Sequence, residues 1–179
     1  SEDVGGPASI GQGEFVEWES GTPFTVTSQD KDHPFLLFNL MGGSGLIEDD
    51  GVGDPALVLN YSPEQYENRY VFVADPNFRE NHLVVVRKQV DGSFHDVELD
   101  CVGNLGDWTP VGQGYEWTRV ELTNFSGNVG DCAAGSHEIV SEAPFGLWVW
   151  GVGVTGQTKV SYGYPGGMRV HQVNTVAIE

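Results

Sequence analysis

The sequence predicts an all-β protein: an antiparallel β-sandwich of jelly-roll type with one short helix. Three observations carry that prediction. The stretch from Gly135 to Gly167 holds the longest apolar run in the chain, Phe145 to Val154, interrupted only by glycines. Its Val, Trp and Phe content suits a strand buried on both faces, and it is shorter than the roughly 20 apolar residues a bilayer span needs. Along the rest of the chain, alternating polar and apolar segments recur between Gly, Pro, Asn and Asp turns, the pattern of half-buried strands. No internal repeat marks out periodic blades, which sets a propeller aside.

The elements follow in order. Ser1 to Gly13 is a loose lead-in to a single domain spanning residues 1–179. Glu14 to Trp18 and Thr22 to Thr27 read as strands, Asp30 to Pro34 as a turn, and Phe35 to Met41 as a nearly continuous apolar strand. A Gly-rich, carboxylate-rich loop, Gly42 to Pro55, precedes a short strand from Leu57 to Asn60. Ser62-Pro63-Glu64-Gln65 carries a helix-start signature, with Ser62 as cap, Pro63 in the first turn and Gln65 completing a capping box. Arg69 to Ala74 alternates as a strand, Asp75-Pro76-Asn77 turns, and His82 to Val90 is a strong strand. Asp91-Gly92 is a hairpin signal that returns the chain through Ser93 to Leu99. Asn104 to Gly114 and Asn124 to Gly135 are loops on either side of a strand from Tyr115 to Leu122. Gly146, Gly151 and Gly153 cost a helix about 1 kcal/mol each; in a strand they mark a bulge or a neighbour packed on bare backbone. A polar turn, Thr155 to Gln157, leads to an aromatic strand, Lys159 to Tyr164, and Met168 to Ile178 supplies a closing strand or two.

Charge narrows the partners. Lys and Arg number 8 against 26 acidic residues, a formal charge of −18. Such a surface repels nucleic-acid phosphates and anionic lipids, so both are excluded. No signal peptide or transmembrane segment is read. Acidity of this order suits a protein outside the cell, one living in high salt, or one that binds cations. Calcium wants six to eight oxygens from flexible, carboxylate-rich loops. Asp49, Asp50 and Asp54, with Glu48 beside them, offer that density, and Asp30 and Asp32 form a second patch. The spacing of an EF-hand is absent, and a merely solvated acidic loop is the alternative.

The 2 cysteines, Cys101 and Cys132, lie in no metal-binding pattern. One disulfide in an oxidising compartment is the favoured reading, two buried thiols the other. His33, His82, His95, His137 and His171 are scattered, and no HExxH occurs. There is no GxSxG elbow, and Ser136 and His137, adjacent in a strand, point to opposite faces. Nothing singles out a carboxylate pair for glycoside hydrolysis. Trp148 and Trp150, at i and i+2, read as core, whereas Trp108 sits in a Gly/Asp/Pro loop and is the one aromatic candidate for ligand contact.

Two stretches carry a family resemblance. One is GDPALVLNYSPEQYENRYVFVADPNFRENHLVVVR, Gly53 to Arg87; the other is GSHEIVSEAPFGLWVWGVG, followed by SYGYPGG and VNTVAI. Together they resemble the IgGFc-binding-protein N-terminal domain family in its bacterial form. The shared pattern falls on Gly135, His137, Ile139, Ser141, Pro144, Phe145 and Gly146, then on Ser161, Tyr162, Tyr164, Pro165 and Gly167, with Gly135 one residue further from His137 than in the tightest form. The surroundings of Cys101 and Cys132 (LDCVG and GDCAAGSH) also look like bacterial members, which supports pairing them. The resemblance covers roughly Gly53 to Ile178. It implies a β-rich domain of secreted or cell-surface proteins, often beside adhesive modules, with no catalytic set; Fc binding belongs to one animal branch, and no functional residue is carried over from it.

The expectation is therefore an extracellular binding or adhesion module that recognises a protein or glycan, with calcium as its one candidate cofactor, and is not an enzyme. Its site is placed on the loops Gly42 to Asp54 and Asn104 to Gly114. A carbohydrate-active enzyme with an acidic cleft and a structural spacer that binds nothing are the alternatives.

Overall fold

The structure is a computed structural model that describes residues 4–44 and 52–170. Its strands are β1 (Leu37–Met41), β2 (Ala56–Asn60), β3 (Glu67–Ala74), β4 (Phe78–Lys88), β5 (Val97–Leu99), β6 (Gly103–Asn104), β7 (Thr109–Gly112), β8 (Tyr115–Asn124), β9 (Gly127–Asn128), β10 (Gly135–Val154) and β11 (Gln157–Pro165). Every pairing is antiparallel.

The 20-residue strand β10 belongs to two layers at once. Its first part, Gly135 to Ser141, lies between β3 and β5, with β6 beyond β5. Its second part, Phe145 to Val154, lies between β4 and β11, and β8 and β7 continue outward from β4. The register breaks between Val140 and Phe145, where Pro144 has no amide hydrogen to give to a ladder. The sheet folds over at this break. Tyr70, Phe72, Val97, Leu99 and Ile139 of one layer then pack against Leu83, Val85, Leu122, Phe145, Leu147 and Val149 of the other in a single core.

The opposite face of the second layer carries a smaller core. Trp148 and Trp150 point there, against Val58 of β2 and the rings of Tyr61 and Tyr66. The Trp148 indole N–H donates to the carbonyl of Leu59 at 3.0 Å, which pins the β1–β2 hairpin to the sandwich. The run from Phe145 is thus buried on both faces, as expected: Leu147 and Val149 enter the main core while Trp148 and Trp150 enter the smaller one. Its glycines do what a strand requires. A Cβ at Gly151 would lie 2.2 Å from the Tyr162 ring, and Gly153, at φ 66°, forms the bulge between Val152 and Val154.

Several expectations need correction. Glu14 to Trp18 and Thr22 to Thr27 form no strands. These segments join no sheet, and local bonds hold the chain instead: Glu14 accepts from the Gly11 N–H at 2.6 Å, and Ser20 Oγ donates to the carbonyl of Thr22 at 2.7 Å. The helix at Ser62 shrinks to one 3-10 turn, Pro63–Gln65. Ser62 Oγ bonds to Glu64 rather than capping the backbone, and Tyr66, extended at ψ 147°, leaves the turn to bury its ring. Asp91 and Gly92 do turn the chain, both at positive φ, and Val90 bridges Ser93. The returning segment then leaves β4, because burial of Val97 and Leu99 in the main core places β5 beside β10. The loop expected from Asn104 to Gly114 contains β7. Residues 168–170 are not strand; the remainder of the closing strand, His171, Glu48, Asp49 and Asp50 lie outside the described residues.

Candidate functional site

Cys101 follows β5 and Cys132 precedes β10, and the two form a disulfide with Cα atoms 5.0 Å apart. The bond closes the loop that carries β6 to β9 onto the first layer. Beside it, His137 Nδ1 lies 2.8 Å from Asp100 Oδ1 and Nε2 lies 2.8 Å from the Ala133 carbonyl, while the ring stacks on Phe72. Burial would raise the Asp100 carboxyl, but hydrogen bonds from His137 and from the backbone N–H groups of Glu138 and Cys101 outweigh it and hold the group below its ordinary value. Asp100, Cys101 and His137 converge closely enough for a metal, yet the Cys101 sulfur is spent in the disulfide. Two ligands remain, short of the three or four that zinc takes.

Trp108 is placed differently from a free ligand platform. It is half-buried and packs against the main core. Its indole N–H donates to the Leu105 carbonyl at 3.0 Å, and its ring lies 3.8 Å from the Arg87 guanidinium carbon. Arg87, nearly buried near the end of β4, pairs with Glu116 across the ladder at 2.6 and 2.7 Å and donates to the His95 carbonyl at 2.5 Å. Phe94 sits 5.3 Å from the same guanidinium. Arg87 thereby fixes the segment from Phe94 to Asp96 against the sandwich.

That segment walls an open groove of about 600 Å³, completed by Glu98 of β5, Asn104 of β6 and Val140, Ser141 and Glu142 at the fold-over of β10. Asp96, Glu98 and Glu142 make it acidic. Asn104 donates to Asp96 at 3.3 Å, and His95 Nδ1 lies 3.6 Å from Glu142. Sequence reasoning missed this groove. The carboxylates near His95 are visible in the chain, but Glu142 joins them only through the register of β5 on β10.

Of Asp49, Asp50 and Asp54, only Asp54 is described. It is exposed, and its peptide is anchored: its N–H donates to Ser161 Oγ at 3.1 Å and its carbonyl accepts from the same hydroxyl. The preceding Gly53 N–H donates to the Thr158 carbonyl at 2.8 Å. Asp54 is thus tied to β11, whereas Trp108 is held by Leu105 and Arg87. The described histidines are dispersed: His33 pairs with Asp30, His82 lies by Glu80, His95 by Glu142 and His137 by Asp100.

The geometry defines a disulfide-tied β-sandwich with an open carboxylate-lined groove between the segment Phe94 to Asp96 and strands β5, β6 and β10. Residues 2–151 match the family described as IgGFc binding protein, and the chain belongs to that family. The match takes in residues 2–52, which the shared motifs had not reached, and ends before SYGYPGG and VNTVAI. No curated protein and no solved structure matches the chain.

Proposed function

We propose that the chain is a non-catalytic, extracellular protein-binding module of the adhesion or matrix type, and that the groove between Phe94 and Glu142 receives basic side chains of its partner. The observation that carries this is the groove itself: Asp96, Glu98 and Glu142 line it, and Arg87 holds one wall in place through the His95 carbonyl, so that this wall loses little entropy on binding. Family membership and the disulfide support an extracellular setting. The family description names immunoglobulin Fc, which makes Fc the first protein to test. Binding of wild type and of Asp96→Lys/Glu142→Lys to immobilised Fc and other extracellular proteins is the direct experiment. Saturable binding lost in the double variant supports the reading. Turnover of a polysaccharide abolished by Glu142→Gln would replace it with the carbohydrate-active enzyme.

Calcium assistance through Asp49, Asp50 and Asp54 is the second component. What favours it is the anchoring of Asp54 to β11, which gives one end of the acidic loop a fixed position. Thermal unfolding in calcium, in EDTA and in sodium chloride of matched ionic strength tests it. A site filled at about 100 times its dissociation constant stabilises by roughly 2.7 kcal/mol. A rise with any salt would indicate screening of the acidic surface instead.

A further inference from the structure

We propose that the chain, with its disulfide reduced, binds one zinc ion through Cys101, Cys132, His137 Nδ1 and Asp100 Oδ1, so that oxidation exchanges a metal site for a covalent tie at the same place. The site stands apart from the groove and from the acidic loop around Asp54.

Two neighbouring strands assemble the ligands. Asp100 and Cys101 follow β5, His137 lies on β10, and the Asp100 N–H donates to the Glu138 carbonyl at 3.1 Å. One ligand atom from each of Asp100, Cys101 and His137 lies within 4.8 Å of the others. The disulfide places the Cys132 sulfur beside that of Cys101. Zinc takes four such ligands in a tetrahedron at about 2.0–2.3 Å, which sets them about 3–4 Å from one another. Parting the sulfurs therefore adds the two ligands that the oxidised chain lacks. Backbone bonds hold the frame without the disulfide: the Val102 N–H donates to the Leu99 carbonyl and the Cys132 N–H to the Val129 carbonyl, both at 3.0 Å.

His137 is already oriented as a ligand. Its Nε2 lies 2.8 Å from the Ala133 carbonyl, which can only accept, so Nε2 carries a hydrogen. Metal-bound histidines donate their second ring nitrogen in this way. Nδ1 faces a second acceptor, Asp100 Oδ1, at 2.8 Å, while Asp100 Oδ2 accepts from the Glu138 N–H at 3.1 Å. A positive centre belongs between Nδ1 and Oδ1: a proton in the disulfide form, the metal in the dithiol form. The His137 side chain is only 9% exposed, whereas Cys101 borders an open groove of about 440 Å³ through which a small reductant reaches the sulfur. A dithiol gives its two hydrogens to the cysteine sulfurs and closes its own disulfide. Zinc then displaces the two thiol protons and the proton at Nδ1.

The test reduces the full chain with a phosphine, which does not compete for zinc as a dithiol does and which leaves as the phosphine oxide with oxygen from water. Zinc chloride is titrated against a chromophoric chelator, and cobalt(II) replaces zinc in a parallel titration. Reduced wild type should take up one zinc per chain and show thiolate-to-cobalt charge-transfer absorption; the oxidised chain should do neither. His137→Gln should weaken zinc binding at least about tenfold. An unfolded chain with two thiols also holds zinc, so melting of reduced wild type is followed as well. Zinc at about 100 times its dissociation constant should raise it by several degrees, because the site belongs to the folded form. The proposal is overturned if reduced wild type takes up no more zinc than Cys101→Ser/Cys132→Ser, or if the oxidised chain binds equally well. It is also overturned if reduced His137→Gln binds as tightly as wild type, or if zinc fails to raise the melting temperature of the reduced chain.

Discussion

The Arg87 guanidinium carbon lies 3.8 Å from the centre of the Trp108 ring, and the same guanidinium pairs with Glu116 and holds the carbonyl of His95. One cation thus joins β4, β8, the loop before β7 and the wall of the groove. Removing one member of a buried pair leaves the other charge uncompensated. Arg87→Ala should therefore cost about 3–5 kcal/mol in urea unfolding. Arg87→Lys should recover only part of this, since an ammonium cannot stack and bond as a planar fork does.

The disulfide closes a long loop, with the two cysteines 31 residues apart. In the chain-entropy description, replacing both with serine costs roughly 3–4 kcal/mol. Melting should fall by about 10 °C for a domain of this size. A thiol reductant added to the wild type should reproduce the loss.

His82 gives the fold an acid slope. Burial first, and the charge of Arg119 second, lower its pKa from 6.5 to about 4. Around it stand Glu80 on its own strand, with Oε1 3.3 Å from Nδ1, and Arg119 and Glu121 on β8. A histidine held neutral in the fold stabilises fully above its unfolded pKa. Below 6.5 the unfolded chain takes up a proton that the fold refuses, so stability falls as pH drops toward 4. The loss is on the order of 2–3 kcal/mol. Urea unfolding across that window should show the slope in wild type and a flatter one in His82→Gln.

Tyr162 closes a buried network. Its hydroxyl donates to Asn81 Oδ1 at 2.6 Å and accepts from the Asp75 N–H at 3.1 Å. Asn81 is fully buried, and its amide also reaches Thr123 Oγ1 at 2.9 Å. Burial pushes the Tyr162 phenol up to about 12, so it remains a donor throughout the neutral range. Tyr162→Phe leaves the Asn81 oxygen without that donor and should cost about 1–3 kcal/mol by chemical denaturation.

Much of the fold was legible because burial is written into residue type. Phe145 to Val154 reads as a strand covered on both sides, and its glycines signal a close neighbour or a bulge, which the structure supplies as the Tyr162 ring over Gly151 and the bulge at Gly153. The N-terminal alternation misled because period alone does not supply a partner edge: Phe15 and Val16 are exposed. The Asp91-Gly92 turn was read correctly, but which strand takes Val97 and Leu99 depends on a core that no local pattern encodes. Trp108 looked free in a polar loop because its cover, Arg87, is distant in sequence. The groove escaped for the same reason, since Glu142 and Asp96 meet only across the fold.

The most direct measurement probes an array of extracellular proteins, immunoglobulin Fc included, and a glycan array in parallel. Each is exposed to wild type and to Asp96→Lys/Glu142→Lys. Saturable binding to protein, lost when the groove charges are reversed and absent from the glycans, is the expected result. Binding to glycans, or protein binding that survives the reversal, would contradict the assignment of the groove as a protein-binding site.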